Sequence, residues 1–139
     1  MILSRTAEYA LRAVLYVARH ADNGLVRVGD VAQALTIPRN YLSKILHALA
    51  RAGVLTSTRG KTGGFRLAVS ADRLSLGDVV QEFDALEDRR QCLLGRPACS
   101  DRQPCAAHEK WKRTAESVAS FFRETTVADL LEETAGSRS

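Results

Sequence analysis

The fold is decided by residues 29–69, which read GDVAQALTIPRNYLSKILHALARAGVLTSTRGKTGGFRLAV. Apolar residues recur at steps of three and four in two parts of this stretch. That spacing predicts a short helix over 29–35 and a longer one over about 39–52. Thr36-Ile37-Pro38 is the turn between them, and proline suits the first position of a helix because its missing N–H has no partner to lose there. Gly53 follows the second helix, where a left-handed cap is favoured. The side chains expected to face inward are Val31, Ala32, Leu35, Leu42, Ile45, Leu46 and Leu49.

The second half of the stretch predicts a β-hairpin. Residues 54–58 and 65–69 are β-type runs, and a basic, glycine-rich connection joins them. A phosphate-binding loop of the Walker kind is disfavoured because the residues after the glycines predict a strand and not a helix. Helix, turn, helix and hairpin is the order of a winged helix-turn-helix, in which the second helix enters the major groove of DNA.

The sequence on either side of this stretch predicts further helices. Residues 3–20 are amphipathic at helical spacing, and the Asp22-Asn23-Gly24 run stops that helix. Ser75 is a candidate N-cap, with Asp78 three residues later at the positive end of a helix that continues through Phe83. We therefore expect a DNA-binding domain over residues 1–84.

The C-terminal part divides into a loop and two helices. Residues 85–104 contain two of the three prolines and predict an irregular segment. Residues 105–124 predict a long helix, and Thr126 caps a short helix that ends near 133, before a disordered tail over 134–139. One face of the long helix carries Trp111, Ala115, Val118 and Phe122. The expected fold class is mainly α with a small β-hairpin.

The positive charge of the chain is concentrated in one block. The formal net charge is +4, but residues 31–71 contain no Asp or Glu and contribute +6. Residues 72–139 carry a net charge of −3. A single-sign block of this length favours a polyanionic partner over a merely solvated surface.

The candidate DNA-contacting residues lie on the second helix and at the tip of the hairpin. Arg, Asn and Ser side chains address base edges, and Lys or Tyr reaches a base or a phosphate. The candidates are Arg39, Asn40, Tyr41, Ser43, Lys44, Arg59 and Lys61. Two alternatives stay open: Tyr41 packs on the hairpin, and His47 is a surface histidine and not a base reader.

All three cysteines lie in one short segment. Cys92, Cys99 and Cys105 are followed by His108, and this donor set suits an iron–sulfur cluster or zinc. Zinc sites usually contain tighter cysteine pairs, and a thiol-only redox switch needs no metal. A small iron–sulfur electron-transfer protein is an alternative of another class, but it has no use for the basic hairpin. Glu8 stands three residues from Arg5 and four from Arg12, which predicts a surface ion pair.

Length and composition set the remaining expectations. A chain of 139 residues suits one domain, and its apolar runs are too short to span a bilayer. Its first residues lack the order of a signal peptide, so we expect a cytoplasmic location with no membrane partner. The three histidines, His20, His47 and His108, are scattered, so neither an enzyme nor a small-molecule substrate is predicted.

The chain resembles the Rrf-two family of bacterial transcription regulators over about residues 2–133. The residues that carry the resemblance are Leu3-Ser4, Glu8-Tyr9-Ala10-Leu11-Arg12, Tyr41-Leu42, Arg59-Gly60, Gly63-Gly64-Phe65-Arg66-Leu67 and the cysteine segment. The resemblance implies a homodimer that binds a double-stranded operator. Its long C-terminal dimerisation helix would cross its twin through Trp111, Ala115, Val118 and Phe122.

The resemblance also implies an iron–sulfur cluster that sets DNA affinity in response to cluster status, oxidants or nitric oxide. Cys92, Cys99 and Cys105 would hold it. In members of the IscR type a histidine at the position of His108 completes a [2Fe–2S] cluster. In the NsrR type the fourth ligand is an acidic residue of the partner subunit at the position of Glu8. The Cys105-Ala-Ala-His108 pattern favours His108 and [2Fe–2S] over [4Fe–4S].

Overall fold

The computed structural model describes residues 3–84 and 108–136. Within these ranges the chain forms six α-helices, two short 3₁₀ turns and one antiparallel pair of strands. The bounds are α1 Arg5–Arg19, α2 Val28–Leu35, α3 Arg39–Arg51, β1 Leu55–Thr58, β2 Gly64–Leu67, α4 Leu76–Val80, α5 His108–Glu124 and α6 Val127–Gly136, with the 3₁₀ turns at Ala21–Asn23 and Ala71–Arg73. The expected winged helix-turn-helix is confirmed.

Helix α1 is the centre of the fold. It contacts α2, α3, α4, α6 and β2. Its buried positions include three fully enclosed alanines, Ala7, Ala10 and Ala13. Small side chains let neighbouring helices approach closely, so one helix can serve several partners.

The turn between α2 and α3 is held by two contacts. Thr36 adopts a left-handed conformation with φ 56°, and the N–H of Ile37 donates to the carbonyl of Ala32 at 3.0 Å. A β-branched residue in that region costs on the order of 1–2 kcal/mol. Arg12 of α1 donates from Nη2 to the Leu35 carbonyl at 3.0 Å, which satisfies a free acceptor in the last turn of α2.

The hairpin is joined to the rest of the domain by a third piece of chain. β1 pairs with β2 in a register that places Leu55 opposite Leu67, and Val26 forms an isolated bridge with Phe65. Val26 and Phe65 exchange two backbone hydrogen bonds, at 2.9 and 2.8 Å. The residues just before α2 are thereby fixed to the base of the hairpin.

The C-terminal helices are attached at the start of α4. Ser75 caps α4 as predicted, and Thr126 caps α6 in the same way. The N–H of Leu76 donates to the Thr125 carbonyl at 2.9 Å, and that of Val127 donates to Leu74 at 2.8 Å. Phe122 is buried in the same core as the α1 residues.

Two predicted boundaries differ from the structure. α4 ends at Val80, whereas the sequence predicted a helix through Phe83. The chain turns there, and the turn brings Asp84 Oδ2 within 2.8 Å of the Ser4 backbone nitrogen. α6 reaches Gly136, past the expected end at 133, because the first strong helix breaker after Val127 is that glycine. The predicted loop over 85–104 lies outside the described residues.

Candidate nucleic-acid interface

Helix α3 presents two polar stripes to solvent and buries the opposite face. Leu42, Ile45, Leu46 and Leu49 are at most 2% exposed, so they fix the orientation of the helix. Arg39 and His47, eight residues apart, line a cleft on the hairpin side, and Ser43 lies between them on the helix. Asn40, Tyr41 and Lys44 border a second cleft on the side of α1. Every predicted DNA-contacting residue on α3 is exposed except Ser43, which is half-buried.

A cleft of about 300 Å³, here named the basic cleft, separates α3 from the hairpin. Three pieces of chain form its walls: the residues that enter α2, the hairpin side of α3, and the strands with their connection. Its lining residues are Arg27, Val28, Arg39, His47, Ser57, Thr58, Arg59, Gly60, Lys61, Gly63, Gly64 and Phe65. The structure therefore brings the predicted residues Arg39, Arg59 and Lys61 to one site.

His47 connects the recognition helix to the hairpin. Its ring stands edge-on to Phe65, with centroids 5.2 Å apart and planes at 87°. Its Nδ1 lies 2.8 Å from the carbonyl oxygen of Ser43. A carbonyl only accepts, so Nδ1 carries the proton in this contact. His47 is exposed, as expected for a surface histidine, but its ring orientation is set by these two contacts.

The glycines of the hairpin are required by close backbone approaches. An added Cβ at Gly63 would collide with the Thr58 carbonyl, and one at Gly64 would collide with the Val26 carbonyl. Gly60 has φ 105°, a conformation that residues with side chains rarely adopt. The hairpin tip thus holds exposed Arg59 and Lys61 on a tightly folded turn.

Tyr41 packs against α1 and not against the hairpin, so the hairpin alternative is wrong. Its hydroxyl shares a hydrogen bond with Thr6, and its ring stands edge-on to Tyr9 at a centroid distance of 5.6 Å. The side chain is still 37% exposed. Tyr41 therefore connects the first turns of α1 to the recognition helix while keeping one edge at the surface.

The predicted metal ligands fall mostly outside the described residues. Cys92, Cys99 and Cys105 lie in the undescribed range, and His108 is the first residue of α5. Glu8 is exposed on α1, and within the described part of the chain it forms no ion pair. The predicted pair with Arg5 or Arg12 is wrong: Arg12 instead reaches Leu35 and lies over the Tyr9 ring, 5.9 Å from its centroid.

The four predicted dimer residues of α5 do not share one environment. Ala115 and Phe122 are each 5% exposed within the single chain, whereas Trp111 and Val118 are half-buried. The neighbouring Phe121 is 51% exposed and was not predicted. The sequence spacing selected Phe122 and left out its neighbour Phe121 because large apolar residues lie on more than one face of this helix.

The geometry agrees with a known family of regulators. The Rrf2 family model, described as an iron-dependent transcriptional regulator, matches residues 3–133. The chain belongs to the Rrf2 family. The resemblance expected from the wing and cysteine motifs is confirmed.

The relatives of this Rrf2 member are transcriptional regulators and not enzymes. A protein of Aquifex aeolicus assigned as an HTH-type transcriptional regulator is 38% identical over 133 residues, which cover 94% of this chain and 92% of the relative. The regulator IscR of Erwinia tasmaniensis is 30% identical over 131 residues, covering 94% of this chain and 79% of IscR.

Solved structures share the fold of this Rrf2 chain at low identity. CymR, the global cysteine regulator of B. subtilis, superposes with a TM-score of 0.81 at 23% identity and covers 94% of this chain and 96% of its own. T. potens IscR has a TM-score of 0.79 at 20% identity, with 99% and 90% covered. None of the helices within residues 3–84 and 108–136 has the length and hydropathy that crossing a bilayer requires.

One residue of the interface was missed by the sequence reasoning. Arg27 lines the basic cleft but lies before the acid-free block, so charge counting did not select it. The signal that would have found it is the backbone pairing of Val26 with the hairpin. A single apolar residue does not predict that pairing.

Proposed function

We propose that this Rrf2-family regulator binds double-stranded operator DNA as a homodimer, with α3 in the major groove and the hairpin against the backbone or minor groove. The observation that carries the proposal is the exposed face formed by α3 and the hairpin. All six basic residues of the acid-free block, Arg39, Lys44, Arg51, Arg59, Lys61 and Arg66, are exposed. Three of them, Arg39, Arg59 and Lys61, line one cleft, and exposed cations of this density attract the phosphate backbone.

The residues of α3 have different tasks in this proposal. Arg39 and Asn40 stand in the first turn, from which a recognition helix reaches base edges. Ser43 and Lys44, one turn further on, contact a base or a phosphate. Tyr41 acts by holding α3 against α1, since its hydroxyl already shares a hydrogen bond with Thr6.

The hairpin supplies the second contact region. Arg59 and Lys61 project from a glycine-rich turn that is narrow enough to approach a phosphate or a narrow minor groove. His47 against Phe65 sets the distance between this turn and α3. The spacing of the two contact regions on the DNA is thus built into the protomer.

The cysteine segment is the proposed sensor. Cys92, Cys99 and Cys105 would hold an iron–sulfur cluster, with His108 or the partner subunit's Glu8 as the fourth ligand. Three thiols with one imidazole or carboxylate fit the chemistry of a [2Fe–2S] centre, the type we favour. Exposed Glu8, with no ion pair among the described residues, is available to a second subunit. When bound, the cluster would supply a centre sensitive to iron supply, oxidants and nitric oxide.

Dimerisation through α5 is the third part of the proposal. Half-buried Trp111 and Val118 and exposed Phe121 recur at seven and three residues, the spacing of a helix seam. Ala115 and Phe122 are already enclosed in the protomer and would support this seam from behind. The cysteine segment enters α5 directly, so a change at the cluster would reach the dimer contact.

DNA binding is tested by retention of genomic DNA fragments at low salt. We expect wild-type protein to retain fragments, Arg59→Ala to retain fewer, and Arg73→Ala, an exposed arginine outside the interface, to match wild type. Absence of retention by wild type, or equal retention by the Arg59 variant, would contradict the DNA proposal.

The sensor is tested on protein purified under anaerobic conditions. We expect iron and visible absorption, with His108→Ala changing the spectrum and Glu8→Ala leaving it unchanged. A spectrum altered only by Glu8→Ala would transfer the fourth-ligand role to Glu8. Iron-free protein without visible absorption would overturn the cluster and leave the DNA proposal standing.

A further inference from the structure

The basic cleft holds four cationic side chains from three separate parts of the chain. Arg27 comes from the segment before α2, Arg39 from α3, and Arg59 and Lys61 from the hairpin turn. All four are exposed, and within the described residues none is paired with a carboxylate. Like charges gathered on one small cleft repel each other, so this arrangement favours an anion between them.

The walls of the cleft are fixed by the backbone. The two hydrogen bonds between Val26 and Phe65 hold Arg27 at the base of the hairpin. Arg39 packs on the first turn of α2, where its Cζ and Nη1 lie 3.8 Å from the place of a Cβ on Gly29. The two arginines therefore line the same cleft, Arg27 from the segment before α2 and Arg39 from the first turn of α3.

No acidic side chain among the described residues 3–84 and 108–136 lines this space. The nearest acid in sequence is Asp30 in the first turn of α2, and it lines a different cleft, on the side of α1, with Tyr16 and His20. A neutral apolar ligand would gain little from a wall of guanidinium and ammonium groups. Guanidinium groups bind phosphate oxygens in a bidentate manner, which a carboxylate-free site leaves available.

We propose that the basic cleft binds one phosphodiester of the DNA backbone and that Arg27, together with Arg39, contacts that phosphate. This inference rests on the proposed DNA-binding function and adds a contact outside the recognition helix and the hairpin tip. A phosphate bound there would lie between α3 and the hairpin, and so would set how deeply α3 enters the groove. Arg27 would contribute to affinity for all sequences alike, since a phosphate carries no base identity.

The test compares the salt dependence of DNA affinity in full-length wild type, Arg27→Gln, Arg27→Lys and Arg73→Gln on a duplex of mixed sequence. Loss of one phosphate contact lowers the slope of log affinity against log salt by about 0.9. We expect that decrease in Arg27→Gln, a smaller one in Arg27→Lys, and none in Arg73→Gln, whose arginine is exposed outside the cleft. Thermal unfolding of each variant checks that the fold is retained.

The outcomes separate this inference from the function on which it rests. Wild-type binding with an unchanged slope in Arg27→Gln overturns phosphate binding in the basic cleft and leaves DNA binding intact. Absence of wild-type binding overturns the DNA function itself. Calorimetry with inorganic phosphate alone measures whether the basic cleft binds a free anion instead of a DNA phosphate. Phosphate binding that is lost in Arg27→Gln while the DNA slope stays unchanged would assign the cleft to a free anion and overturn the DNA-backbone assignment.

Discussion

The side of the domain that carries α4 and α6 differs from the DNA-facing pair α2 and α3 in how the helix N-termini are capped. α4 and α6 each begin with a hydroxyl cap and an aspartate three residues later, Ser75 with Asp78 and Thr126 with Asp129. In both pairs the carboxylate accepts the backbone N–H of the cap, and the hydroxyl accepts the N–H of the aspartate. The N-cap residues of α2 and α3 are Arg27 and Pro38, and neither side chain forms a capping hydrogen bond.

We interpret this difference in capping as a division between helices that stabilise the fold and helices that face DNA. A side-chain cap stabilises a helix by about 0.5–2 kcal/mol, and a carboxylate there also favours the positive end of the helix dipole. The same carboxylate on a DNA-facing surface would repel phosphates. The helix-turn-helix therefore draws its stability from the four buried residues of α3 and from Arg12 on Leu35, and α3 itself carries no carboxylate.

The largest expected effect concerns Phe122, on the side of the domain that carries α4 and α6. Phe122→Ala removes a side chain that is 5% exposed and should lower the free energy of unfolding by about 3–5 kcal/mol. The neighbouring Phe121→Ala, at 51% exposure, should change it by less than about 0.5 kcal/mol while it weakens dimerisation. Urea denaturation at one protein concentration, with analytical ultracentrifugation, measures both. Equal losses of stability in the two variants would contradict the assignment of one phenylalanine to the core and the other to the surface.

The next largest effect concerns the hairpin, which lies on the DNA-facing side of the domain with α2 and α3. Gly64→Ala forces a Cβ toward the Val26 carbonyl and should cost about 1–3 kcal/mol of unfolding free energy, with a further loss of DNA affinity. Gly29→Ala is the matched control, because its Cβ would meet only Arg39 at 3.8 Å. Alanine in a helix is favoured over glycine by about 0.5–1 kcal/mol, so this variant should be more stable. The same sign of stability change in both variants would show that the approach at Gly64 is relaxed in solution.

The sequence predicted those parts of the fold that local patterns encode. The periodicity of Leu42, Ile45, Leu46 and Leu49 placed α3 within one residue, and Ser75 marked the start of α4. Contacts between distant segments carry no such pattern. The pairing of Val26 with Phe65 and the hydrogen bond between Tyr41 and Thr6 join residues more than thirty positions apart, and both change the candidate site.

The sequence also could not predict which side chains of α5 are exposed. Spacing alone assigned Trp111, Ala115, Val118 and Phe122 to a single face of α5. The helix packs on α4, and Ala115 and Phe122 are enclosed while Phe121 stays exposed. This packing joins distant segments of the chain, which local spacing does not specify.

The smallest effect tests the comparison directly by adding a cap to the DNA-facing side. Pro38→Asn and Pro38→Asp both place a capping oxygen at the start of α3. The cap should add about 1 kcal/mol to the free energy of unfolding in each variant. The loss of a proline that restricts the unfolded chain offsets this gain, so stability should change little.

The two variants differ only in charge, and the aspartate would stand beside Arg39 and the DNA phosphates. We expect Pro38→Asp to bind duplex DNA about tenfold more weakly than Pro38→Asn at low salt, with the gap closing as salt screens the charge. Fluorescence anisotropy over a salt series measures it. Equal affinities of the two variants at low salt would mean that the absence of a carboxylate at the start of α3 is unrelated to DNA, and that the two sides of the domain differ in capping for another reason.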